Sequence, residues 1–202
     1  MFDFGAVLFH WQPVQMLQRE LPHLARNDDE AQLLAEQVFQ SYGGDWGDFD
    51  RGIVSVPELV LRISRRSGLS AADVQTVVDA VPRELQAIPA SVALLRRLHA
   101  LGHALYYLSN MPAPYADHLE AQNDFFALFT DGVFSGRVHH NKPEPAVFQI
   151  AAKRFGCAPS ELLFMDDHGP NVEAARALGW QAFVFVDARQ AEEELSRRGL
   201  LS

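Results

Sequence analysis

Several groups able to do chemistry stand where short apolar runs stop. Asp3 follows Met1-Phe2 and precedes Phe4-Gly5; Ser109 and Asn110 close the run over residues 104–109; Lys142 lies in Asn141-Lys142-Pro143-Glu144-Pro145; Asp166 and Asp167 close the run over residues 162–166. If these runs are neighbouring parallel strands, the residues meet in one crevice, because ligands of open parallel sheets bind beyond the carboxyl ends of the strands. Three carboxylates gathered there, Asp3, Asp166 and Asp167, repel one another unless a divalent cation lies between them. Oxygen ligands without a paired His or Cys favour magnesium over zinc. Lys142 and Ser109 are then left to hold an anion, and a phosphoryl group satisfies both the cation and the lysine.

The elements that must position these groups follow from hydrophobic period. Residues 1–8, 104–109, 132–135, 162–166 and 182–186 read as strands, several of them apolar without alternation, as strands covered on both faces are. Helical patterns fill 91–100, 116–122, 146–155 and 172–178, with Gly102, Gly156 and Gly179 where helix C-caps belong. The alternation predicts an α/β fold with a doubly wound parallel sheet. Residues 14–85 break the rhythm, with helical stretches at 14–24, 30–42, 57–67 and 72–81 and a loop at 43–52. They are expected to form a small helical insertion, with residues 1–13 and 86–202 as the core.

Composition narrows the partners. The 202 residues are 48% hydrophobic and carry a formal charge of −9, the wrong sign for electrostatic binding of nucleic acid or anionic lipid. No apolar run approaches the roughly 18 residues of a membrane-spanning helix. The single cysteine, Cys157, offers neither an intramolecular disulfide nor a cysteine metal site, and with no signal-like N-terminus the expected compartment is the cytoplasm. Oligomeric state, monomer or dimer, is not readable.

At these same residues the sequence resembles the haloacid dehalogenase superfamily, in particular its phosphatases with a small helical cap after the first strand. Phe2-Asp3-Phe4-Gly5-Ala6-Val7-Leu8, Leu108-Ser109-Asn110, Lys142-Pro143 and Met165-Asp166-Asp167 match its four motifs in order. Gly5 and the Lys-Pro-Glu-Pro run look closest to a bacterial branch that includes a sugar-1-phosphate phosphatase. The resemblance implies a Rossmann-like core and a magnesium-dependent phosphatase of a small phosphorylated metabolite, in which Asp3 attacks phosphorus and becomes an aspartyl-phosphate. It further implies magnesium held by the Asp3 carboxylate, the Gly5 carbonyl and Asp166, with Asp167 near its water shell. The Ser109 hydroxyl, the Asn110 backbone N–H and Lys142 would bind phosphoryl oxygens. Two departures stand out. Most relatives carry an acid two residues after the nucleophile, where this chain has Gly5; such an acid is typically worth about 10²- to 10⁴-fold, so its absence favours a good leaving group or a substitute such as His10. Only Met1 and Phe2 precede Asp3, which leaves either a start upstream of Met1 or a truncated first strand.

Blander readings stand beside these. Asp166-Asp167 and Ser109-Asn110 could cap helices, and Lys142 could be a solvated loop lysine. Trp11, Tyr42, Trp46 and Phe49 either line a substrate chamber or form the insertion's own core. His139-His140 reads as a solvated loop, because adjacent side chains diverge on an extended chain; Cys157 reads as inert packing, and Glu192 to Arg198 as a solvated helix face. Competing functions are a metal-free dehalogenase with Asp3 attacking carbon, a phosphorylation-switch receiver, and a catalytically silent phosphate-binding protein. The receiver order, acid pair first and lysine last, is the reverse of the order here.

Overall fold

A computed structural model describes residues 1–201. Its sheet is built from four short parallel strands, β1 (Tyr106–Ser109), β2 (Asp131–Phe134), β3 (Leu163–Asp166) and β4 (Gln181–Val184). β1 pairs with β2 and β3 with β4, and Phe2 joins the two pairs through parallel bridges to Tyr107 and Met165. The order across the sheet is therefore β2, β1, the N-terminal segment, β3, β4.

Side-chain alternation sends each strand into two cores. Tyr107, Phe134, Met165 and Phe183 join one cluster, while Leu108, Val133, Phe164 and Ala182 join the other. Both faces are covered, which is why the strands read as continuous apolar runs. Helices α6 (Pro89–Ala100), α7 (Ala113–Gln122) and α11 (Ala188–Arg197) contribute buried residues to the first cluster, α9 (Pro145–Phe155) and α10 (Gly169–Ala177) to the second. The single-turn α8 (Ser135–Val138) follows β2 directly. Gly102, Gly156 and Gly179 have φ of 84°, 65° and 85°, the left-handed conformation that ends a helix.

The expected first strand over residues 1–8 is corrected to a much shorter one. Ladder hydrogen bonds run only through residues 1–3, for example Phe2 N–H to Tyr106 O and Asp3 N–H to Met165 O. The amides of Val7, Leu8 and Phe9 then all turn back to the Phe4 carbonyl. Phe4 is fully buried against Phe9, Tyr107, Phe126 and Phe134, with ring centroids 5.0–5.4 Å away. The apolar run is thus a buried aromatic turn, and periodicity alone does not distinguish that from a strand.

Between the N-terminal segment and α6 lie five helices: α1 (Pro13–Glu20), α2 (Asp28–Phe39), α3 (Gly44–Asp50), α4 (Val56–Ser67) and α5 (Ala71–Glu84). Asn27, Ser55 and Ser70 cap α2, α4 and α5 by accepting from the amide three residues on, and Gly68 at φ 78° stops α4. The expected loop over 43–52 is replaced by α3. Trp46 and Phe49 anchor it from the core side, and Gly47 is required because a Cβ there would lie 2.8 Å from the Tyr42 carbonyl. Among the described residues no helix is long and apolar enough to cross a membrane.

Candidate active site

Because the strands are parallel, their carboxyl ends share one edge of the sheet, and Asp3, Ser109 and Asp166 stand there. Lys142 reaches the same edge from the loop after α8. Its ammonium lies 2.6 Å from Asp166 Oδ2 and 2.7 Å from Asp3 Oδ1, with its side chain 2% exposed. That burial excludes a solvated lysine. The contact with Asp166 is a hydrogen bond, and the contact with Asp3 Oδ1 is a close, buried ion pair.

The backbone of Lys142 is held by Asn110. Oδ1 of Asn110 accepts from the Lys142 amide at 2.7 Å, and its Nδ2 donates to the Lys142 carbonyl at 2.9 Å. Asp166 is fixed from behind: its Oδ1 accepts from the His168 amide at 2.8 Å, and Asn171 Nδ2 donates to both carboxylate oxygens at 3.0 and 3.1 Å. These side-chain roles of Asn110 and Asn171 were not legible from sequence, since the partners of Asn110 are 32 residues away and those of Asn171 depend on the angle of the first turn of α10. Asp166 does not act as an N-cap, because that position belongs to His168.

Asp3, Gly5, Ser109, Asn110, Lys142 and Asp167 all line one cavity of about 370 Å³, and fully buried Asp166 lies just behind Lys142. Residues 11–85 contribute further lining, including Trp11, Tyr42, Trp46 and Asp50. Phe49 is not among them; it packs between Trp46 and Tyr115. His10 is exposed and lies outside the cavity, so it is not the substitute acid considered above. His139 and His140 diverge, one toward the Arg51 carbonyl and the other toward Glu144.

Electrostatics follow from burial. Desolvation pushes Asp3 up to about 7, with Asp166 and Asp167 adding to the rise and Lys142 opposing it. Asp167 is raised by burial and by Asp166. For Lys142 burial works against the charge, but Asp166 and Asp3 outweigh it and leave the ammonium above its ordinary value. One residue was missed entirely: Asp50, the last residue of α3, is 5% exposed, and burial pushes it up to about 8 against the pull of Lys142. Sequence carries no signal for it, because a lone aspartate after Asp-Phe in an apparent loop is indistinguishable from a solvated one.

The donor set fits a hard divalent cation. Asp3, Asp166 and Asp167 each offer a carboxylate oxygen, all within 4.8 Å of one another, and one lysine cannot neutralise three carboxylates.

Comparison with known proteins fits this geometry. The sequence profile described as haloacid dehalogenase-like hydrolase matches residues 25–179. The chain is 26% identical over 188 residues to a sesquiterpene phosphatase of Aspergillus oryzae, covering 93% of this chain and 89% of that protein. It is 25% identical over 198 residues to a drimenol cyclase of Aspergillus calidoustus, covering 96% of this chain but only 35% of the longer relative. Among solved structures, a haloacid dehalogenase family enzyme of Bacteroides thetaiotaomicron in complex with magnesium and inorganic phosphate superposes with a TM-score of 0.68 at 20% identity, covering 91% of each chain.

Proposed function

Since the chain belongs to the haloacid dehalogenase-like hydrolases, we propose that it is a magnesium-dependent phosphatase that removes phosphate from a small organic monophosphate through an aspartyl-phosphate on Asp3. The observation that carries this reading is the buried Lys142 held between Asp3 and Asp166 at the cavity. Lys142 lines the cavity and can donate to a phosphoryl oxygen, and of the two carboxylates beside it Asp3 lines the cavity whereas Asp166 is fully buried.

In this reading Asp3 attacks phosphorus while Lys142, the Ser109 hydroxyl and the Asn110 backbone N–H bind the remaining phosphoryl oxygens. Asn110 keeps Lys142 in place through its two side-chain hydrogen bonds. Magnesium would be held by the Asp3 carboxylate, the Gly5 carbonyl and Asp166, with Asp167 close by, and when bound it supplies charge neutralisation for the transferred group. Residues 14–85 act as a cap that closes the cavity and keeps water from the intermediate until hydrolysis.

The walls beyond the phosphate end are mainly apolar, with Trp11, Trp46, Val81, Leu85 and Met111 among them. Two polar groups there are already engaged: Trp11 Nε1 donates to the Tyr42 hydroxyl at 2.7 Å, and the Tyr115 hydroxyl donates to the Val78 carbonyl at 2.8 Å. A sugar 1-phosphate, expected from the family resemblance, would bring several hydroxyls to walls with few free partners, and unpaired polar groups are costly to bury. We therefore favour a substrate whose organic part is largely apolar, in keeping with the sesquiterpene phosphatase relative. The volume, about 370 Å³, falls in the usual range of roughly 300–1,000 Å³ for small-molecule sites.

The deciding experiment compares kcat/KM for alkyl, prenyl and aryl monophosphates with sugar 1- and 6-phosphates, with magnesium and with excess chelator, in wild type and Asp3→Asn. Apolar monophosphates should lead, chelator should abolish turnover, and the variant should be inactive but folded. Full activity in chelator would instead support the metal-free dehalogenase chemistry, and faster sugar phosphates would overturn the apolar assignment.

A further inference from the structure

An alkoxide leaving group needs a proton, and the strand-end residues assigned to the metal and the phosphoryl group do not supply it. Gly5 has no side chain, and the Lys142 ammonium is committed to two carboxylates. The Tyr115 hydroxyl donates to the Val78 carbonyl. Asp50 is different. It lines the same cavity, is 5% exposed, and among the described residues its carboxyl makes no hydrogen bond or ion pair, although its backbone carbonyl is fixed by the Ser135 hydroxyl at 2.6 Å. A buried carboxyl with a rigid main chain and no partner is expensive to maintain unless something entering the cavity meets it.

The elements that carry the two acids suit the same role. In-line displacement puts the leaving oxygen on the side of phosphorus away from Asp3. Asp3 enters the cavity from the strand ends, and Asp50 enters from α3 in the helical segment. With an apolar organic group in the cavity, the ester oxygen is the one substrate atom beyond the phosphoryl group that could pair with Asp50.

We propose that Asp50 is the acid and base of the reaction, supplying from the helical segment the proton that position 5 cannot. As the Asp3 oxygen bonds to phosphorus and the ester P–O bond breaks, the Asp50 proton passes to the leaving oxygen and the alcohol departs. Asp50, now a carboxylate, takes a proton from a water that attacks the phosphorus of the aspartyl-phosphate. The P–O bond to Asp3 breaks, phosphate is released, and Asp50 is protonated again. The environment suits this cycle: burial raises Asp50 to about 8, and the charged and titratable groups that face it are Lys142 from the loop after α8, Tyr115 from α7 and Tyr42 from the turn before α3. This inference rests on the phosphatase reading, and its test separates the two.

The test measures kcat and kcat/KM for aryl and alkyl monophosphates of graded leaving-group pKa in wild type, Asp50→Asn, Asp50→Glu and His168→Asn, the last because His168 also lines the cavity. Wild-type turnover of the series establishes the phosphatase reading whatever Asp50 does, and its absence refutes both. Asp50→Asn should lower kcat/KM by about 10²- to 10⁴-fold for alkyl phosphates and by less than about tenfold for p-nitrophenyl phosphate. With the latter it should show a burst followed by a slow steady state, because hydrolysis of the intermediate has lost its base. The fall of wild-type kcat/KM on the alkaline side should vanish in this variant, and Asp50→Glu should recover part of the rate. A loss of equal size across the series would make Asp50 a binding or structural residue. An unchanged slope in Asp50→Asn with a steepened one in His168→Asn would assign the proton to His168. Either result overturns the proposal.

Discussion

Replacing Lys142 by Met tests the charge balance of the site without relying on turnover. Methionine keeps most of the length and apolar stem but removes the ammonium that lies 2.7 Å from Asp3 and 2.6 Å from Asp166, side chains that are 10% and 0% exposed. Breaking a buried ion pair by deleting one partner costs about 3–5 kcal/mol, because the carboxylates left behind have neither solvent nor counter-charge. For a chain of 202 residues each kcal/mol shifts the melting temperature by about 2–4 °C, so the metal-free variant should melt roughly 6–20 °C below wild type. Magnesium at a hundredfold excess over its Kd should return about 2.7 kcal/mol by mass action. At one fixed magnesium concentration the increment should be larger in the variant than in wild type, where Lys142 already occupies part of the negative field and weakens magnesium binding. The assay is a thermal melt with and without magnesium, with calcium or potassium as controls for ionic strength. A variant that melts with wild type in the absence of metal, or a magnesium increment no larger than in wild type, would refute the view that one buried lysine and a cation share the neutralisation of these acids.

Asp50→Asn should also stabilise the fold, in a pH-dependent way. The folded-state pKa of about 8 lies above the ordinary aspartate value, so the native state prefers the protonated form. Below about pH 4 both states are protonated and the substitution gains nothing; from there to about pH 8 wild type loses about 1.4 kcal/mol per pH unit relative to the variant, about 4 kcal/mol at pH 7. Urea denaturation at pH 5 and pH 8 measures this, and a difference that does not change with pH would contradict the burial argument. Gly52→Ala tests the seating of α3: Gly52 has φ 75°, and a Cβ there would lie 2.3 Å from the Gly136 carbonyl oxygen, a backbone atom that cannot move aside cheaply. A loss of about 2–4 kcal/mol is expected, with a fall in activity as Asp50 shifts; wild-type stability and activity would show that α3 is free to move.

The floor of the site was legible because a parallel sheet turns sequence position into place: Ser109 and Asp166 end apolar runs, Asp3 lies near the start of the first one, and the carboxyl ends coincide. Lys142 was legible only as a lysine beside prolines. Its burial depends on Asn110, whose amide pairs across 32 residues, and nothing local encodes that. The lining from residues 11–85 was illegible for another reason. Gly43 to Arg51 contains three glycines and three aspartates, poor helix formers, and α3 exists because Trp46 and Phe49 dock in the aromatic core. Tertiary packing overrode local propensity there, and Asp50 was carried to the cavity with it. The N-terminal run failed in the opposite sense: Phe4 to Phe9 looks like a strand because it is buried, but it is buried as a turn.

Gly5 and Asp50 are best understood together. The backbone does not require glycine at position 5: its φ is not in the left-handed range, and an added Cβ would meet nothing closer than Trp11 Cβ at 3.8 Å, an ordinary contact. With room for a side chain at position 5, packing does not account for the glycine. Trp11 lines that side of the cavity with an apolar surface, its indole N–H engaged by Tyr42, so under the proposal above the acid stands off the strand end and the space beside Gly5 takes the organic part of the substrate. The proton then comes from a helix in the same segment that forms the apolar walls. Leaving-group chemistry and substrate selection are thereby placed on one element, and the strand ends are left with the phosphoryl group alone.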